Sequence, residues 1–478
     1  MPPTIAWRDR ARAAFRERVF DVLVIGGGIT GAGVARDAAL RGLTVALVER
    51  DDFASGTSSR SSRLVHGGVR YLEHGYLGLV RESSRERRIL LRIAPHLVRP
   101  LAFTWPVYRG ARIPRWKLLA GLWLYDTLAV FGNVGRHVRL SAGDVLSAEP
   151  ALASSGLLGG ARYFDAATDD ARLTLANVID AAANGAVVLN HAAVSALSQS
   201  AGRVDGAEVH DRVSGERIDI RARVVVNATG PWTDSIRHME SPGASTAVVG
   251  TKGVHVQVAA ARVGNTGAVT MLSPIDGRVM FVLPAGAATI IGTTDTVTTA
   301  PPESVRATRG DVNYLLESAN AYFPAAKLSR DDVITAWAGI RPLIARGNAG
   351  DPAGASREHD IAVGPRGVVA VTGGKLTTYR AMAAQVTDAV QRQMGARITH
   401  APTDTSVLPP VGDAFACTVA DLLVRRSKVA FETADHGWSH APVAAGMLAT
   451  QCGWTSEQTA IALEDYRAEI ARLFTIDD

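Results

Sequence analysis

Residues 20–33, FDVLVIGGGITGAG, allow one local geometry and exclude most others. Phe20, Val22, Leu23, Val24 and Ile25 make a short apolar run rich in β-branched side chains, the pattern of a strand buried on both faces. Gly26, Gly28 and Gly31 then hold the spacing G-x-G-x-x-G, and the good helix formers of residues 32–40 follow. In such a strand, turn and helix the first glycine permits the sharp turn and the second lets backbone approach a pyrophosphate. The third lets the helix pack against the strand. A second apolar run, residues 43–48, ends at Glu49, about twenty residues past the glycines, where a carboxylate accepts from ribose hydroxyls. The stretch predicts a dinucleotide site.

The rest of the composition narrows the partners of that site. A chain of 478 residues has room for two or three domains, and 47% hydrophobic with 20% charged residues is a soluble globular balance. The net charge of +5 suits anionic small molecules or an anionic membrane surface, whereas clustered basic residues of the nucleic-acid-binding kind are missing. Lysine is confined to Lys117, Lys252, Lys327, Lys375 and Lys428, so a lysine inside a motif suggests a task arginine cannot do. Cys417 and Cys452 make no framework, which predicts a reducing compartment. The first twenty residues lack the apolar core of a signal peptide, so a cytoplasmic protein is expected. Residues 6–18 are charged and read as a solvated arm ahead of the other reading, a short helix leading into the first strand. No metal-ligand or nucleotide-hydrolysis motif is present.

Taken in order, the chain predicts an α/β protein: a Rossmann-like cofactor-binding domain, a second domain built on a mixed antiparallel sheet, and a small C-terminal helical domain. Residues 55–62, with Ser58, Ser59, Ser61 and Ser62, form a loop of hydroxyl and backbone donors beside the cofactor. His66, Gly67 and Gly68 allow close approach to a ligand, and Arg70 and Tyr71 follow. Residues 81–92 read as a solvated helix with one apolar edge. Residues 109–132 are too short for a bilayer span and carry Asp126, leaving a buried helix or an interfacial one. In the interfacial reading Arg112, Arg115, Trp116 and Lys117 sit at headgroup level and Leu118, Leu119, Leu122, Trp123, Leu124 and Leu128 reach the acyl boundary. From Asp165 a capped helix, a turn at Asn184-Gly185 and a strand follow. A buried strand at 223–227 ends in Ala228, Thr229 and Gly230, suited to a second backbone pass over a dinucleotide. Alternating runs over 248–283 and 288–295 predict antiparallel strands, and a helix at 311–322 with a turn at Pro324 separates them from 333–343. A last buried strand, 368–371, runs into Gly373, Gly374, Lys375, Leu376 and Thr377, with a helix over 381–394. The boundaries expected are 16–95, 160–240 and 366–400 for the cofactor domain, 96–159 and 241–365 for the second, and 401–478 for the helical one.

The runs IGGGITGAGVARDAALRGL, TSSRSSRLVHGGVRYLEHG, TDDARLTLAN, VVNATGPW, TKGVHV, IIGTTDT, AGIRPL and GGKLTTYR occur in this order over residues 20–380. Together they resemble the FAD-dependent, respiratory glycerol-3-phosphate dehydrogenases. The resemblance implies FAD as cofactor, held by Gly26, Gly28, Gly31, Glu49, Ser58, Ser59, Ser61, Ser62, His66, Gly67, Gly68, Ala228, Thr229, Gly230, Gly373, Gly374, Lys375, Leu376 and Thr377. It implies oxidation of sn-glycerol 3-phosphate to dihydroxyacetone phosphate, with electrons passed to a membrane quinone by a protein attached peripherally. Arg341 and Arg357 match the arginines expected to clamp the phosphate, whose dianion favours a planar fork. His255, on an alternating strand, matches the family's histidine and is the expected base for the hydroxyl proton. Lys375 is placed to stabilise developing negative charge, and Arg70 and Tyr71 are further candidates beside the substrate. A homodimer is expected. One departure is a C-terminal helical region shorter than the family's usual one. Two other readings compete: an oxidase of an amine or a 2-hydroxy acid that uses oxygen, and a non-catalytic FAD-binding protein. Retention of His255, Lys375 and both arginines argues against the second.

Overall fold

The computed structural model describes residues 4–130, 132–344 and 359–478. The strand Val19–Ile25 is buried along most of its length and runs parallel between Val45–Val48 and Arg217–Asn227, with Ile25 level with both Val48 and Asn227. Val187–Leu189 extends the parallel sheet beyond Val45–Val48, and Val369–Gly373 extends it beyond Arg217–Asn227. Antiparallel His359–Val363 closes that edge, while Ala192–Ser200 and Arg203–Asp211 pair off it as a hairpin. Helices Ile29–Leu40, Asp170–Ala183 and Tyr379–Gln393 pack over one face, and their apolar sides join Val22, Val24 and Val226 in one core. The parallel strands thus end at a common level, which is where a doubly wound sheet opens a crevice for a ligand.

A second, ten-stranded sheet is mostly antiparallel. Val248–Ala259 lies between Ala288–Gly292 and Val333–Ile344, and its Val254, Val256 and Val258 pack into a core with Val312, Leu315, Leu316 and Ala319 of helix Arg309–Tyr322. Period-two alternation therefore sends Thr251, His255 and Gln257 to the opposite face. At the far side of this sheet Leu157–Thr168 pairs with Val98–Tyr108 and with Leu64–Val65. That last short strand carries the serine loop from the first sheet to the second.

Two sequence expectations change here. Residues 6–17 belong to a packed helix, Thr4–Glu17, the second of the two readings, rather than to a solvated arm. Phe15 is 1% exposed and meets Phe20 edge-on, while Arg8 is buried with its guanidinium on Asn190 and Asp211. Arg12 adds a 3.0 Å bond to Asp211, whose carboxyl the two arginines hold below its ordinary range against the opposing effect of burial. Residues 81–92 lie in helix Leu77–Ile93, whose inner side is more than an apolar edge. Arg87 is buried there against Asp165, and Tyr125 Oη donates to the same carboxylate at 2.7 Å.

The C-terminal region, with helices Ala441–Cys452 and Ser456–Phe474, is fastened to the cofactor side by buried charge. Asp52, fully buried and three residues past Glu49, receives Arg425 at 2.5 Å and Arg426 at 2.9 Å, and Asn190 donates to it at 2.8 Å. Asp52, His191 and Asp421 bring three ligand-type atoms within 4.8 Å of one another, but the two guanidiniums occupy the carboxylates. Removing one partner of a buried ion pair leaves the rest uncompensated, which costs about 3–5 kcal/mol. Asp52→Ala should lower stability by that amount in chemical denaturation and expose the C-terminal helices to limited proteolysis; an unchanged cleavage pattern would mean that they are held by their apolar contacts alone.

Candidate active site

A cavity of about 410 Å³ opens where the parallel strands end and reaches across to the polar face of the second sheet. Its first half is shaped by backbone. Gly26 has φ +106°, and a methyl there would meet the carbonyl of Ala228 at 2.7 Å; a methyl on Gly31 would stand 1.9 Å from the carbonyl oxygen of Gly26. Glycine is needed at both, one for conformation and one for contact. Gly28 is the N-cap of Ile29–Leu40 and lends it no side-chain cap, which leaves a helix N-terminus at the cavity wall, suited to a diphosphate. Ser58 Oγ accepts from the Ile29 amide at 2.9 Å.

Glu49 is held by its own neighbourhood, its two carboxylate oxygens accepting from the amides of Gly27 at 2.6 Å and Asp51 at 2.9 Å. Burial raises its pKa despite those bonds. Ala228, Thr229 and Gly230 form the opposite wall, as a second backbone pass requires. An open helix end, a buried carboxylate at the end of the neighbouring strand and glycine at both points of close approach fit a dinucleotide. Ser61, Ser62, His66, Gly373, Gly374, Leu376 and Thr377 also line the cavity. Gly31, Ser59, Gly67 and Gly68 stand behind its wall instead. Gly31 packs on Gly26, Ser59 is buried in its own turn, Gly67 presses against Tyr125, and Gly68 lies against the Tyr71 ring.

The second half carries the titratable groups. Register sets His255 opposite Trp337 and Thr251 opposite Arg341, with Gly253 and Gly339 opposite each other between them. The bare glycine pair leaves room in a row of side chains, and Gly253 lies directly under the Arg341 guanidinium. Arg341 donates to Thr293 Oγ1 at 2.9 Å and to the Thr294 carbonyl at 3.2 Å, and pairs with Asp295 at 3.2 Å. It is thereby aimed yet 30% exposed. His255 is 2% exposed, its ring stacked on Trp337 at 5.3 Å, and Ser62 Oγ lies 2.8 Å from its Nε2. Burial foremost, with Arg341 and Arg63 adding, pushes the imidazole down to about 3, so the ring is neutral and has a lone pair to offer.

Across the cavity, Lys375 Nζ lies 3.6 Å from the centroid of the buried Tyr71 ring, and Tyr71 stacks on His66 at 6.2 Å. Thr377 Oγ1 accepts from the His66 amide at 3.2 Å and donates to its carbonyl at 3.3 Å, tying the two glycine loops together. Arg70 lines the same wall, its guanidinium 5.8 Å from the Phe281 ring. His255, Arg341, Lys375, Arg70 and Tyr71 are thus brought to one cavity. Arg357 lies outside the described residues.

Four groups that shape the site were not singled out from sequence: Thr293, Asp295, Trp337 and Arg63. Trp337, Gly339 and Arg341 alternate in VITAWAGIRPL, and that period of two, with the polar terminus of IIGTTDT, was the available signal. Arg63 stands on the serine loop over the Trp337 ring, 5.2 Å from its centroid, a contact no local pattern announces. Because a methyl at Gly31 must displace the turn at Gly26, Gly31→Ala should purify with its flavin absorbance largely lost. Full flavin content in that variant would mean that the loop adjusts.

A model of the FAD dependent oxidoreductase family matches residues 21–389. A glycerol-3-phosphate dehydrogenase of Mycobacterium leprae is 44% identical over 411 residues, covering 84% of this chain and 69% of the relative. An aerobic glycerol-3-phosphate dehydrogenase of Staphylococcus saprophyticus is 38% identical over 388 residues, covering 81% and 70%. Among solved structures, the glycerol-3-phosphate dehydrogenase of Bacillus halodurans complexed with FAD superposes with a TM-score of 0.82 at 29% identity, over 99% of this chain and 98% of that one. Glycine oxidase of Bacillus cereus, with a TM-score of 0.57 at 20% identity, shares the fold. The chain belongs to the FAD-dependent oxidoreductases and, within them, to the glycerol-3-phosphate dehydrogenases.

Proposed function

We propose that this protein oxidises sn-glycerol 3-phosphate to dihydroxyacetone phosphate and delivers the electrons to a membrane quinone. The observation that carries the substrate is the pairing of a neutral, buried His255 with a partly exposed, pre-aimed Arg341 on adjacent strands of one face. A secondary alcohol needs a base, and a phosphate needs a fixed cation beside it.

Gly26, Gly28, Glu49, Thr229, Gly374 and Thr377 are the residues that would hold FAD, which supplies a two-electron acceptor when bound. Arg341 binds the anionic end of the substrate, its guanidinium kept in place by Thr293, Thr294 and Asp295. His255 Nε2 accepts the hydroxyl proton, and Ser62 Oγ keeps that nitrogen oriented until the substrate arrives. Lys375, with Tyr71 against it, supplies positive charge where the oxidised carbonyl and the reduced cofactor concentrate negative charge. Burial of His255 and Trp337 keeps bulk water from the base. The oxygen-using oxidase of an amine or 2-hydroxy acid is the rival reading, and a carboxylate substrate would need one clamp where a phosphate rewards two.

An anaerobic titration tests the assignment: glycerol 3-phosphate should bleach the flavin band, and glycerol or NADH should not. No bleaching at millimolar substrate would remove it. His255→Ala should retain its flavin and lose roughly a hundredfold or more in kcat. Full activity would return His255 to a packing role.

We also propose a cytoplasmic protein held peripherally at the membrane as a homodimer. No described helix is long and apolar enough to cross a bilayer. Helix Arg115–Leu128 buries Leu118, Leu122 and Tyr125, so these leucines serve the core, not the acyl boundary as the interfacial reading had them. Its outer face presents Trp116, 72% exposed, and Trp123, 60% exposed, seven residues apart, followed by Val130. Arg112 pairs with Glu73, and Arg115 donates to the Leu140 carbonyl at 2.6 Å, so the exposed Lys117 is the better headgroup contact of the three. Trp116→Ala with Trp123→Ala should reduce cosedimentation with anionic liposomes and quinone reduction, and spare activity with a soluble dye. Equal loss of both activities would place the contact elsewhere.

A further inference from the structure

The face that carries His255 holds more buried polar groups than the protein pairs. His255 lies opposite Trp337, and Gln257, two residues on, lies opposite Thr335. All four are 2% exposed or less. Among the described residues, Nδ1 of His255, Nε1 of Trp337, both amide atoms of Gln257 and Oγ1 of Thr335 have no hydrogen-bond partner. Side chains directly opposite on neighbouring strands have their Cβ atoms about 5 Å apart, and those two apart along a strand about 7 Å, so these groups are contiguous. The other face of the same strand, Val254, Val256 and Val258, is wholly apolar. The C-terminal helices close the polar face from above, with Phe431 5.3 Å from Trp337 and Phe474 5.0 Å from Phe431.

Buried polar groups are nearly always satisfied, by protein or by ordered water, and a polar recess that offers two to four partners retains water. The chemistry of the base makes the same demand. Ser62, which lines the cavity, meets Nε2, so Nε2 is the nitrogen on the substrate side. A neutral imidazole that accepts at Nε2 carries its hydrogen on Nδ1, and the hydrogen bond made there sets the tautomer. No described protein group accepts it.

We propose that ordered water occupies the recess between His255, Gln257 and Thr335, and that one of these waters accepts the Nδ1–H of His255. Gln257 and Thr335 are then positioning residues: they hold the water, and the water fixes the tautomer of the base and solvates its cationic form. The proposal rests on His255 as the base. In the reaction the C2 hydrogen leaves together with its electron pair for the two-electron acceptor that FAD would supply, the hydroxyl proton goes to Nε2, and the Nδ1–H stays in place. Once product has left, the Nε2 proton passes to water in the cavity, and one proton has moved from substrate to solvent. Arg341 and Arg63 face the ring, and both oppose its protonation, with Asp295 offsetting part of the charge of Arg341. The Nδ1 water is the compensating contact.

The test has two arms. A high-resolution crystal structure of the FAD-loaded protein should show ordered water within hydrogen-bond distance of both Nδ1 of His255 and the Gln257 side chain. Nδ1 bonded directly to Gln257, or a dry recess, overturns the proposal, and this arm stands even if a variant fails to fold. In the second arm Gln257→Leu with Thr335→Val removes the polar groups as a set. Flavin reduction by glycerol 3-phosphate should slow about tenfold with KM unchanged, and the variant should keep its flavin. With the cationic ring less well solvated its pKa drops, so the acid limb of kcat should move down by about one pH unit. A wild-type rate with an unmoved limb overturns the proposal. Should His255→Ala keep full activity while the waters are present, the base assignment has failed and the hydrated recess has not.

Discussion

The register between Val248–Ala259 and Val333–Ile344 is the constraint on which the site depends. Antiparallel pairing puts His255 beside Trp337 and Thr251 beside Arg341, and a shift of one residue would turn all of them into the valine core. That core is what fixes the register: Val254, Val256 and Val258 gain from burial against helix Arg309–Tyr322 only in the observed alignment. The apolar face therefore determines where the polar face points. An imidazole and a guanidinium that would not be packed together for stability are held side by side by residues with no part in the chemistry.

That arrangement has an electrostatic cost, and the surrounding contacts show how it is met. Arg341 beside His255 disfavours the imidazolium, and burial disfavours it further. Asp295 and the oxygens of Thr293 and Thr294 take up part of the charge of Arg341, while its remaining exposure leaves it open to an anion. A phosphate dianion arriving there would neutralise the guanidinium and make protonation of His255 easier at the moment the hydroxyl proton must be taken. On the proposed roles, binding and basicity would be coupled through one side chain.

How much of this is legible in sequence depends on how far each contact reaches. The dinucleotide half could be read because its determinants are local: Gly26, Gly28, Gly31 and the strand ending at Glu49 fall within thirty residues, and each is required by backbone geometry. His255 was found through alternation and motif resemblance, and Arg341 through motif resemblance. Ser62 was assigned to the cofactor, yet its hydroxyl meets His255, 193 residues away, a contact that exists only once two sheets are packed. At the N-terminus a solvated arm was ranked ahead of a helix for a similar reason. Its arginines have the composition of a solvated arm, and only the burial of Asp211, some two hundred residues on, turns Arg8 and Arg12 inward.

The loops between the sheets explain why a site split over two layers can be stiff. Leu64–Val65 enters the second sheet directly after the serine loop, and Thr377 ties His66 to the lysine loop from both sides. Asp52 anchors the C-terminal region three residues past Glu49. Phe431 of that same region covers Trp337, on which His255 stacks, and Phe474 backs Phe431. One region thus braces both ends of the cavity, by ion pairs at the dinucleotide end and by aromatic contact behind the base. The first kind of contact is directional and fixes position. The second is tolerant of small shifts.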